Sequence, residues 1–130
     1  MASNPVKEMV ESLATVSEDT RKAMMETRLK SFAEMPDDKR KDAMKMMLDV
    51  ALDLPEEKYE KLARTRLQVL MGFPESDQVK LMKTHIAALQ ELSSEKQLKE
   101  MRVVKAILMG LPAESREMML KMMRELGIKM

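Results

Sequence analysis

Residues 35–76 read MPDDKRKDAMKMMLDVALDLPEEKYEKLARTRLQVLMGFPES, and three apolar-proline-acid steps punctuate them: Met35-Pro36-Asp37, Leu54-Pro55-Glu56 and Phe73-Pro74-Glu75. The three prolines stand 19 residues apart, and the same step reaches Ser17 on one side and Ser93 and Pro112 on the other. Each of these six residues follows an apolar one: Val16, Met35, Leu54, Phe73, Leu92 and Leu111. Two places after it comes a mostly acidic position, occupied by Asp19, Asp38, Glu57, Ser76, Glu95 and Glu114. This is the grammar of a helix start. Serine caps the free N–H groups, proline gives up only an N–H that the first turn could not use, and carboxylates face the positive end of the helix dipole. The apolar residue ahead is placed to pack back as a staple.

Between the starts, apolar residues recur at steps of three and four. Ala43, Met44, Met47, Leu48, Ala51 and Leu54 form one such stripe, and Leu62, Leu67, Leu70, Met71 and Phe73 form the next. Leu81, Met82, Ile86, Leu89 and Leu92 continue the pattern. The period is that of an amphipathic helix, and the spacing predicts helices of about 14–16 residues separated by short turns. Leu48, Leu54, Leu67, Leu70, Phe73, Ile86, Leu89, Leu92, Leu108 and Leu111 are the expected core.

A weaker period of 38 lies over the first. Thr27-Arg28-Leu29 returns as Thr65-Arg66-Leu67, and Met71-Gly72-Phe73-Pro74 as Met109-Gly110-Leu111-Pro112. Alternate helices therefore resemble one another, and the unit is a helical hairpin. With a short first helix near Pro5 to Thr15, the expectation is one all-α domain over residues 1–130. It holds six to seven short helices, stacked as a short α-solenoid or closed into a compact orthogonal bundle. The Leu-Pro-acid starts resemble those of α-superhelical repeat domains such as the cytosolic domains of magnesium transporters and flagellar motor switch proteins. The repeat lengths of those families differ, and no motif specific to them occurs here.

Composition narrows the function. Of 130 residues, 45% are hydrophobic and 35% charged, which excludes a disordered chain. No apolar run is long enough to span a bilayer, and the N-terminus lacks a basic-then-apolar leader, as expected for a cytoplasmic protein. Cysteine is absent, so disulfides and thiolate chemistry are excluded together. With one histidine, three glycines and no Gly-x-Ser-x-Gly, neither a nucleophile relay nor a phosphate loop can be drawn, and no enzyme is expected. The net charge of +1 gives no global pull toward nucleic acid.

Four candidate features remain. His85 shares a helical column with Arg28, Met47, Arg66, Val104 and Met123; His85 with Met47 or Met123 is the pair that could ligate haem or a metal ion. No Cys-x-x-Cys-His and no Glu-x-x-His accompanies it, so no cofactor is expected. The 17 methionines include clusters at Met24-Met25, Met46-Met47, Met118-Met119 and Met122-Met123. Thioethers suit Cu(I), but they also fill cores and make adaptable docking surfaces. Arg28 and Arg66, equivalent in successive hairpins, could align along a groove for phosphates or acidic peptides. Against nucleic acid, aromatics for base stacking are only 2% of the chain. Lastly, Met118, Met119, Met122, Met123 and Leu126 spread around the last helix, more apolar than a terminal repeat should be. The expected function is a protein-interaction module or small subunit that docks a partner, or a second copy, through these residues with Arg28 and Arg66. Nucleic-acid binding through the arginines is the alternative, and metal or haem binding a further one.

Overall fold

In a computed structural model, which describes residues 5–127, the chain forms seven α-helices: α1 (Pro5–Thr15), α2 (Glu18–Glu34), α3 (Asp37–Ala51), α4 (Glu56–Met71), α5 (Glu75–Gln90), α6 (Ser94–Met109) and α7 (Ala113–Glu125). No strand occurs among the described residues. Six of the helices begin one residue after the six periodic positions, which act as their N-caps. Ser17 and Ser93 accept the N–H of Thr20 and Lys96 on their hydroxyls, both at 3.3 Å. The prolines cap through geometry alone: extended at Pro36, Pro55, Pro74 and Pro112, the backbone turns each carbonyl into the acceptor of the first helical bond.

The helices stack by alternation. α1 packs on α3 and α3 on α5, while α2 packs on α4 and α4 on α6, giving an odd layer and an even layer. That is the spatial meaning of the 38-residue period. The main core draws Val10, Leu13, Leu48, Leu52, Tyr59, Leu62, Val103 and Ile107 from both layers. A second cluster joins Met25, Leu29, Phe32, Met44, Leu70 and Leu81. Leu70 is buried there, so Leu70→Ala should lower stability by about 2–5 kcal/mol, read from urea denaturation.

One recurring side chain locks the turns. The fourth residue after each cap reaches back to the orphan carbonyls that end the previous helix. Arg21 donates to Leu13 and Val16, Arg40 to Phe32 and Met35, and Arg116 to Leu108 and Leu111. Gln78 serves Met71 and Phe73, and Gln97 serves Gln90 and Leu92. The column breaks once, at Tyr59. There Lys99 of α6 reaches across instead, donating to Leu52 at 2.8 Å and to Leu54.

The expected core divides in two. Leu48, Leu70, Leu92 and Leu108 are buried. Leu54, Phe73 and Leu111, each one residue ahead of a cap, are half-buried, whereas Leu92 in the equivalent place is buried. Leu67, Ile86 and Leu89 are half-buried and line a cavity.

Candidate functional site: a polar cluster beside a methionine-lined cavity

Freed from turn-locking, Tyr59 turns into the core, where α4, α5 and α6 bring four polar side chains together. Its hydroxyl donates to Glu100 Oε1 at 2.8 Å. Arg66 donates through Nη2 to the same oxygen at 3.3 Å and through Nη1 to the Tyr59 oxygen at 3.4 Å. His85 Nε2 lies 2.6 Å from Glu100 Oε2. Glu100 and Tyr59 are buried, while Arg66 and His85 keep 18% and 19% of their side chains exposed.

The electrostatics are mutually dependent. Burial alone would push the Glu100 carboxyl up; the Arg66 charge, His85, and hydrogen bonds from His85 and Tyr59 outweigh it and hold the group well below its ordinary value. Burial likewise disfavours the Arg66 cation, but Glu100 and Tyr59 more than restore it. Burial drives the Tyr59 phenol far above its usual range. A carboxyl depressed in the folded state contributes stability above its unfolded value of 4.5, and that contribution drains away as pH falls through the folded value. The gap in urea midpoint between the wild type and Glu100→Gln should therefore be full above about pH 5 and shrink below it. A gap that widens in acid would contradict an ionised Glu100.

Beside the cluster lies a half-open cavity of about 170 Å³, walled mainly by α4, α5, α6 and α7 and reached by Leu29 of α2 and Met44 of α3. Met44, Met82, Met101, Met119 and Met123 line it with leucine, isoleucine and valine, and Arg66, His85, Glu100 and Gln97 form its polar parts. A smaller one of about 60 Å³ continues on the far side of Arg66 and His85 toward α1. The polar cluster is thus a partition between two apolar spaces.

The sequence-derived candidates fall into separate places. Met119, Met123, Arg66 and His85 meet at the larger cavity. Met119 and Met123 are buried against Leu108, so they offer no outer face; their helix needs them to close the end of the stack. Met122 and Leu126 are half-buried, and Met118 is exposed. Arg28 and Arg66 are equivalent in sequence but not in setting. Arg28 faces solvent, whereas Arg66 is drawn inward by Glu100, so no aligned pair forms. Met47 lines the smaller cavity with His85, and Met123 the larger.

Glu100 and Tyr59 were not among the sequence candidates, yet both break a column. Glu100 occupies the place that other repeats give to Met24, Ala43, Leu62, Leu81 and Met119. Tyr59 stands among Arg21, Arg40, Gln78, Gln97 and Arg116. Among the described residues, no three His, Cys, Asp or Glu side chains gather as a metal site, and no helix is long and apolar enough to cross a membrane. No known protein family, characterised protein or solved structure matches the chain.

Proposed function

We propose that the chain is a non-enzymatic helical-repeat interaction module whose docking surface is the α6–α7 end of the stack, and whose occupant there is a second copy of the chain. The observation that carries this is a change of residue type confined to the last hairpin. Lys22 in α2 and Glu60 in α4 become Leu98 in α6, which is 60% exposed. Asp42 in α3 and Lys80 in α5 become Met118 in α7, also 60% exposed. Along the face that each even helix turns to the next, Met25 is 5% exposed and Ala63 0%, but Met101 is 40% exposed. Met109 adds to the same side of α6.

The opposite end selects the mode of pairing. Val103 and Ile107, by which α6 packs back into the core, correspond in α2 to exposed Thr27 and Ser31, flanked by exposed Glu26 and Lys30. Head-to-tail stacking would therefore press an apolar face onto a charged one. A two-fold contact presses the apolar patch against itself and closes. Methionine suits such a surface because its three rotatable bonds let it repack.

Light scattering across a concentration series tests the reading. The wild type should dimerise, and Leu98→Glu/Met118→Glu should stay monomeric with unchanged helicity. A wild type that remains monomeric at several hundred micromolar would defeat self-association.

A further inference from the structure

We propose that the larger cavity is a binding site for a small neutral amphiphile, an apolar body of about six to eight non-hydrogen atoms ending in a hydroxyl. The inference does not rest on docking at the α6–α7 end, although Met101 belongs to the cavity lining and to that surface alike. Size sets the body. An apolar cavity near 150 Å³ typically stays dry and accepts benzene, and this one is about 170 Å³, with flexible methionines on most of its sides.

The polar end sets the head group. A carboxylate only accepts hydrogen bonds, so the ring nitrogen facing Glu100, His85 Nε2, must carry the proton. In a neutral ring the other nitrogen, Nδ1, is then a lone pair, and no bond to it occurs among the described residues. Arg66 carries five N–H groups and spends two of them, at 3.3 and 3.4 Å. Gln97, the remaining polar lining group, has its amide nitrogen committed to Leu92 and Gln90. The cavity lining thus carries an acceptor on His85, spare donors on Arg66 and the amide oxygen of Gln97. A hydroxyl matches the first two, giving its proton to Nδ1 and accepting from Arg66. Arg66 and Glu100 already balance one another, so a carboxylate or an ammonium would bring an uncompensated charge into a mostly apolar cavity; the carboxylate also lacks a proton for Nδ1, and the ammonium a lone pair for Arg66.

The test is titration of the full chain at pH 8 with 1-heptanol, heptanoate and heptylamine. His85 is the only histidine, so its ring resonances report the site without ambiguity. Heptanol should bind at least about tenfold more tightly than either charged analogue and shift the His85 ring signals. Filling the cavity by Val104→Phe should abolish that shift. If the filled variant does not fold, the three-probe ranking on the wild type decides by itself. Equal binding of the three probes, preference for a charged one, binding without a His85 shift, no binding, or a folded Val104→Phe that binds like the wild type would each overturn the proposal.

Discussion

Replacing Glu100 by leucine destabilises the protein by about 3–5 kcal/mol, because it leaves the Arg66 charge inside the stack without its counter-charge. The value belongs at the lower end of that range, since 18% of the Arg66 side chain still meets solvent. The second change is the informative one. Leucine at this place matches Leu62 and Leu81 in the neighbouring repeats, so adding Arg66→Met to Glu100→Leu should recover part of the loss, the remainder staying with the buried Tyr59 hydroxyl, which loses both partners. Replacing a whole buried ion pair by apolar groups is commonly neutral or stabilising. Urea denaturation of the two single variants and the double variant measures this. Additive losses would mean that the pair is not a unit.

A comparable loss is expected from Met119→Glu/Met123→Glu. Both methionines are buried beside Leu108, and each new carboxylate would lose its hydration in a mostly apolar cavity whose Arg66 charge is already paired with Glu100, at several kcal/mol. Two such penalties rival the 5–15 kcal/mol that holds a typical domain together. Circular dichroism should show lost helicity or a collapsed melting temperature. Met118→Glu, one residue away but exposed, should stay within about 0.5 kcal/mol of wild type. A double variant that melts like the wild type would put Met119 and Met123 on the outside, against the packing described above.

The contrast between Met118 and Met119 shows what the sequence could and could not convey. Helix starts are local events: a cap, a proline and the acids after it act on the first turn alone, so six boundaries were legible to within a residue. Which side of a helix faces inward depends on what lies against it. For α7 the apolar residues surround most of the circumference, and only the packing on α6 separates Met119 and Met123 from Met118. Arg28 and Arg66 illustrate the same point. The 38-residue period makes them equivalents, but Glu100, 34 residues beyond Arg66, draws one of them inward. That carboxylate was visible as the charged member of an apolar column, and Tyr59 as the misfit in a column of arginine and glutamine. Reading columns for their exceptions would have found the cluster, because repeats make the exceptions conspicuous.

The same exception bears on the order in which the chain becomes rigid. Five of the six turns that follow α1 are tied by a side chain four residues past the cap, so each can form as soon as its own two helices meet. The turn between α3 and α4 waits for Lys99, 47 residues beyond Leu52 in sequence. Its closure is a long-range event with the larger loop entropy that such contacts carry. Before α6 arrives the elbow is already spanned by the packing of α2 on α4 and of α3 on α5, so Lys99 adds the last tie, on the carbonyls of Leu52 and Leu54. The amides of Leu52, Asp53 and Leu54 bond back to Leu48, Val50 and Ala51, so their exchange follows the end of α3, and it is the carbonyl side of the elbow that depends on a helix two places away.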